Sequence, residues 1–204
     1  MRLEKIERKF EYRRSKPLDI MYNYGVLVPI IERNGQLELV YEVRAKDLNR
    51  QPGEISFPGG RVEYGETFKE AAIRETCEEL NLKPKNINVI GELDYLISHA
   101  NISIYPFLGV LKNVKYEYIN YSKDEVDHIF TVPINFFVKT EPKVHYIDLE
   151  AVIGEDFPYD KIPNGKGYYW DKGKYSVYFY EYNDYIIWGM TAKITKNFID
   201  IIKS

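Results

Sequence analysis

Glu75, Glu78 and Glu79 stand at positions i, i+3 and i+4 of one segment, and at 3.6 residues per turn a helix gathers them within an arc of about 100°. Three carboxylates this close repel one another, so at least one takes up a proton unless a cation sits among them. A hard divalent ion such as Mg²⁺ or Mn²⁺, which prefers oxygen ligands, removes that conflict and brings phosphate chemistry within reach. Phe68, Ala72, Ile73, Thr76, Cys77 and Leu80 fill the other half of the same helix. It is therefore expected to pack down on that half and hold its carboxylates up. The competing reading is an ordinary solvated face, with Glu70 and Arg74 as an i,i+4 pair.

The wider spacing favours the metal. Gly60, Glu66, Arg74, Glu75, Glu78 and Glu79 would fall into their register by chance with a probability on the order of 10⁻⁵ in a chain of this length. Residues 60–82 resemble the Nudix box, in which a Gly is followed at set intervals by Glu, Arg-Glu and Glu-Glu. Two positions depart from the pattern. Thr76 stands where an aliphatic residue is usual, and Asn81 replaces the closing Gly; Asn is the residue that best substitutes for Gly in a left-handed helix cap. Upstream, Arg44, Leu48, Arg50, Gly53, Phe57, Pro58, Gly59 and Gly60 resemble the additional signature of the coenzyme A pyrophosphatase branch, with Ala45 where a small hydroxyl residue is common. Tyr105 to Gly109, Asp124 to Pro133 and Ile187 to Ala192 are similar to later segments of that branch, so the resemblance runs from about Gly25 onward. Gly154 to Tyr180 matches least.

The resemblance implies a metal-dependent hydrolase that breaks the phosphoanhydride of coenzyme A into 4′-phosphopantetheine and adenosine 3′,5′-bisphosphate. Glu75, Glu78 and Glu79 would hold Mg²⁺ or Mn²⁺, Arg74 would orient Glu75 through a charge-assisted hydrogen bond, and Glu66 would assist from behind or through water. Gly59 and Gly60 would line the phosphate floor, and Arg44 and Arg50 would meet the substrate's phosphates. The water's proton would go to a helix carboxylate such as Glu78 or to Glu125 from its separate loop; the sequence leaves both open. Two other functions fit less of the pattern: hydrolysis of another nucleoside diphosphate derivative such as ADP-ribose or a dinucleoside polyphosphate, and a non-catalytic nucleotide-binding regulator. The intact carboxylate set favours turnover over regulation.

Composition narrows the partners. The chain of 204 residues carries a formal net charge of −3 and shows no dense basic run, which argues against a nucleic-acid surface. Any attraction for an anionic small-molecule diphosphate must then be local. One cysteine, Cys77, cannot form an internal disulfide and lies on the apolar half of the helix, so it reads as core. No stretch is apolar enough to serve as an export signal or to cross a bilayer, and the expected location is the cytoplasm. Whether the protein forms a homodimer is left open. His99, His128 and His145 show no ligand spacing, and the tyrosines of 168–185 read as edge-strand packing rather than an adenine platform.

The elements that must position these residues follow from periodicity. Leu3, Ile6 and Phe10 predict a short amphipathic helix over about 3–15, ended by Pro17. Tyr24–Ile31 and Leu37–Val43 predict strands joined at Asn34-Gly35, a strong two-residue hairpin signal. A helix is expected from Thr67 to Leu80, paired strands at 87–97 and 102–112 with Pro106 at an edge or bulge, further strands at 126–132, 145–152 and 175–182, and a last helix at about 191–202. Strands, a helix, more strands and a helix imply an α+β fold, a mixed β-sheet sandwiched between α-helices, in one domain over residues 1–204.

Overall fold

A computed structural model of the protein describes residues 2–204. Its centre is β1 (Tyr22–Arg33), paired antiparallel with β2 (Gln36–Arg44). Asn34 and Gly35 both adopt positive φ between them, the backbone that a type I′ hairpin requires. On its other side β1 runs parallel to β7 (Ile102–Leu111), which pairs antiparallel with β5 (Ile87–Glu92) and β6 (Leu96–Ile97). The short β3 (Ile55–Ser56) and β8 (Val126–Pro133) pair with β2, and β4 (Gly59–Arg61) pairs with β1. The sheet is mixed, as expected.

Successive side chains of a strand point to opposite faces, so β1 feeds two cores. Leu27 and Ile31, with Val40 and Phe107, meet α2 (Phe68–Glu79) on one face. Val28 and Ile30, with Leu39, Tyr41 and Val132, meet α4 (Gly189–Lys203) and α3 (Ile134–Lys139) on the other. Tyr41 lies at the middle of the second core, stacked on Phe57 and Phe130, and satisfies its hydroxyl on Thr195 at 2.9 Å. A second, three-stranded sheet of β9 (Lys143–Leu149), β10 (Gly173–Tyr182) and β11 (Tyr185–Trp188) brings Tyr180 and Ile187 into that core.

Several boundaries differ from expectation. The first helix, α1, covers only Leu3–Phe10 and buries no side chain, so its apolar stripe has nothing to hold a longer helix against. Pro106 lies within β7 and not at the sheet's edge. It falls where β5 ends opposite Phe107 and β6 begins opposite Ile104, a gap that tolerates the missing N–H. The strand expected at 145–152 is β9, shifted toward the N-terminus, and β11 and α3 were not expected. Both are short enough for tertiary contact, not local pattern, to decide them.

Candidate metal centre and diphosphate site

The helix that carries the carboxylates is fixed at both ends by its own residues. Thr67 caps it: the Glu70 N–H donates to the Thr67 hydroxyl at 3.2 Å and the Thr67 N–H donates back to the Glu70 carboxylate at 2.8 Å. Such a capping box satisfies two orphan donors at once. Glu70 is thereby committed and does not form the i,i+4 pair with Arg74 that the competing solvated-face reading offered. At the other end Asn81 takes a left-handed φ of 49°, and the Leu82 N–H returns to the Cys77 carbonyl at 3.1 Å, as in a glycine-closed cap.

Arg74 uses its whole guanidinium. Nε and Nη2 donate to Glu66 at 2.7 and 3.1 Å, Nη1 to Glu75 at 2.8 Å and Glu78 at 3.1 Å, and Nη2 also to the Arg61 carbonyl at 3.1 Å. The Arg74 bonds, followed by the Glu63 N–H, hold the Glu66 carboxyl below its usual range. Arg74 is therefore a cation inside the acidic group, bonded to two of the three carboxylates of the helix trio, Glu75 and Glu78.

Glu79 is the third. Only 5 % of this residue is accessible, unlike the exposed Glu78; Glu79 belongs to the buried side of α2, contrary to the expected upward trio. Among the described residues its carboxylate has one hydrogen-bond partner, the Gly59 N–H at 2.8 Å. Burial, then repulsion from Glu42, Glu75 and Glu125, pushes its carboxyl well above the ordinary range. Glu75 is raised as well, by burial against the Arg74 bond and with Glu78 and Glu125 adding to the shift. Five carboxylates, Glu42, Glu75, Glu78, Glu79 and Glu125, thus act on one another here.

The glycines explain how helix and loop come so close. A Cβ on Gly60 would lie 2.2 Å from the Glu75 Cδ, and one on Gly59 would lie 2.5 Å from the Gly25 carbonyl. Gly59 also takes a φ of 154°. The Glu125 loop is tied to the same place: the Ser122 N–H donates to the Glu79 carbonyl at 2.7 Å and the Ala45 N–H to the Glu125 carbonyl at 2.9 Å. Arg44 and Arg50 line a cavity of about 590 Å³ that reaches Gly59; Tyr22, Tyr24, Ile104 and Met190 are among its apolar lining, and Glu54, Gln51 and His99 among its polar lining.

Among the described residues, no three His, Cys, Asp or Glu side chains stand together as a ready set of metal ligands. The cause is visible in the bonds just given, since Arg74 holds Glu75 and Glu78 while Gly59 holds Glu79. The chemistry nevertheless fits a hard dication: burial first, and repulsion from neighbouring carboxylates after it, raises Glu75 and Glu79, and a buried carboxylate oxygen of Glu42 has no partner. Glu42 is the residue that sequence reasoning missed. Its signal was a lone acid inside the apolar run Leu39-Val-Tyr-Glu-Val.

Residues 21–168 match the NUDIX domain family. The chain belongs to the Nudix family. It is 32 % identical over 178 residues to the peroxisomal coenzyme A diphosphatase NUDT7 of Mus musculus, a match covering 84 % of this chain and 66 % of that protein. To Nudix hydrolase 3 of Caenorhabditis elegans it is 33 % identical over 117 residues, 56 % of this chain and 49 % of the other. The chain thus spans about half to two thirds of the length of these curated relatives. The fold is shared with the crystal structure of a MutT/nudix family protein from Enterococcus faecalis, at a TM-score of 0.55 and 13 % identity over 100 % of this chain and 71 % of that one. Among the described residues, no helix of this Nudix protein is long and apolar enough to cross a membrane.

The Arg74 network yields a prediction. Arg74→Lys keeps the charge but loses the planar fork that serves Glu66 and Glu75 together. Turnover should fall and metal affinity weaken, while KM at saturating metal changes little. A large rise in KM alone would place Arg74 on the substrate instead.

Proposed function

We propose that this Nudix hydrolase cleaves the diphosphate of coenzyme A or its derivatives, dependent on Mg²⁺ or Mn²⁺. The observation that carries the substrate is the cavity beside Gly59, where Arg44 and Arg50 supply the local positive charge that the acidic chain lacks and the remaining wall is largely apolar. That combination suits a molecule with several phosphates and a long, weakly polar arm. The murine relative's name points the same way.

Glu75, Glu78 and Glu79 would hold the ion, which when bound neutralises the diphosphate and makes a water more acidic. Arg74 keeps Glu75 in place and, on release of Glu78, continues to be held by Glu66. The Gly59 N–H, which donates to the Glu79 carboxylate, would link the helix carboxylates to the cavity that Gly59 lines. Glu125, exposed on a loop anchored to both Glu79 and Ala45, would take the attacking water's proton, with Glu78 as the helix-borne alternative. Arg44 and Arg50 bind phosphate, and because guanidinium meets phosphate oxygens in pairs, they also orient it.

Kinetics with two substrates test this. Coenzyme A should exceed ADP-ribose in kcat/KM by ten-fold or more, each factor of ten reflecting about 1.4 kcal/mol of differential transition-state binding. Arg44→Ala or Arg50→Ala should narrow that preference. Equal efficiency on both substrates, unchanged in the variants, overturns the coenzyme A assignment and leaves a Nudix hydrolase for another diphosphate.

A further inference from the structure

Glu42 is 1 % exposed and sits in the middle of β2, with its backbone paired on one side to Ser56 of β3 and on the other to Ile129 of β8. The side chain cannot swing out to water without breaking that sheet. One oxygen, Oε1, accepts from the Ser56 hydroxyl at 2.8 Å. The other, Oε2, is sealed from solvent and has no hydrogen-bond partner. Such an oxygen is expensive to keep, because a buried carboxylate needs a cation or a full set of donors.

Arg44, two residues along the same face of β2, attracts Glu42 without bonding to it; the Arg44 Nε is itself buried and unpartnered, and Nη2 is engaged with the Arg50 carbonyl. The other charges that act on Glu42 are negative, Glu125 and Glu75. Among the carboxylates that repel Glu79, Glu42 weighs most, ahead of Glu75 and Glu125. Glu42 is thus a fixed, desolvated, unsatisfied carboxylate within electrostatic reach of Glu79 and Glu75.

We propose that Glu42 is a further carboxylate of this metal centre, with Ser56 fixing Oε1 so that Oε2 serves the divalent ion from the strand side, opposite the helix carboxylates. Burial, working against the Ser56 hydrogen bond and the Arg44 charge, raises the Glu42 carboxyl, and a cation at Oε2 is the partner that makes an ionised form tolerable at that depth. The assignment rests on the metal-dependent reading of α2 and goes beyond it, since no other part of that reading requires an acid in β2.

The test is Mn²⁺ binding by calorimetry, with thermal unfolding in EDTA and in Mn²⁺, on the full chain as wild type, Glu42→Gln and Ser56→Ala. Glu42→Gln keeps an oxygen for Ser56 but removes the charge. It should weaken Mn²⁺ binding ten-fold or more and lose most of the Mn²⁺-induced rise in Tm, while its Tm in EDTA is no lower than wild type. Ser56→Ala should weaken binding by a smaller factor. Should Glu42→Gln not fold, the uncharged and β-branched Glu42→Thr carries the same measurement. Unchanged Mn²⁺ affinity in a folded Glu42 variant overturns the proposal and leaves the helix site standing. Absence of Mn²⁺ binding by wild type overturns the metal-dependent reading itself, and Glu42 with it.

Discussion

Glu79→Gln should leave the protein folded and reduce turnover by ~100-fold or more, the usual scale for losing one preorganised electrostatic group in an active site. The two halves of that expectation come from the same environment. Glu79 is buried, receives the Gly59 N–H, and is repelled by Glu42, Glu75 and Glu125. Gln keeps the size and an acceptor for Gly59 while removing a charge that burial and its neighbours oppose, so the metal-free protein gains or holds stability. Binding a dication needs the charge that has been removed. Glu75→Gln should behave alike in turnover but loses more structure, because Arg74 then gives up one of its ionic partners. Chelation should stop the wild-type reaction. Folded Glu79→Gln with near-normal turnover in Mg²⁺ would sink the assigned site.

The sequence carried the helix, its Asn81 cap and its carboxylates because each is specified locally: the Leu82 N–H returns to Cys77 within two turns, and the Glu75–Glu78–Glu79 spacing is a property of one helix. The Asn34-Gly35 hairpin was legible for the same reason. The Thr67–Glu70 capping box is as local and was overlooked. Depth was not legible. Glu78 and Glu79 are adjacent in sequence, yet one is exposed and the other buried, and only the descent of α2 onto β4 separates them. Arg74 offered two acidic partners by spacing, and the choice of Glu66 over Glu70 depends on a loop that folds back from Arg61. Glu42 was hidden because its meaning arises from residues on α2, on β3 and in the Glu125 loop, far from it along the chain. The short β11 and α3 escaped notice because long-range packing, with Ile187 and Phe137 in the second core, decides segments too brief for periodicity to mark.

Gly25→Ala should be the most damaging single methyl in the protein. A Cβ there would lie 2.0 Å from the Phe68 carbonyl oxygen and 3.0 Å from the Ala72 nitrogen, and both are backbone atoms of α2 that no side-chain rotation can clear. Gly25 itself has ordinary strand φ and pairs with Gly60 and Tyr105, so the penalty is steric and not conformational. Overpacking of a core commonly costs about 1–3 kcal/mol, and a clash with helix backbone belongs at or above the upper end. At roughly 2–4 °C per kcal/mol for a chain of this size, Tm should fall by about 6–12 °C. Activity should fall further than stability, because the displaced helix carries Glu75 away from Gly60 and Glu79 away from Gly59. Gly91→Ala is the control: that position has nothing within 4 Å of a new Cβ, and there Tm and turnover should stay close to wild type. A Gly25→Ala protein that melts within 2 °C of wild type and keeps its turnover would mean that α2 does not rest on β1 as closely as the backbone contact requires.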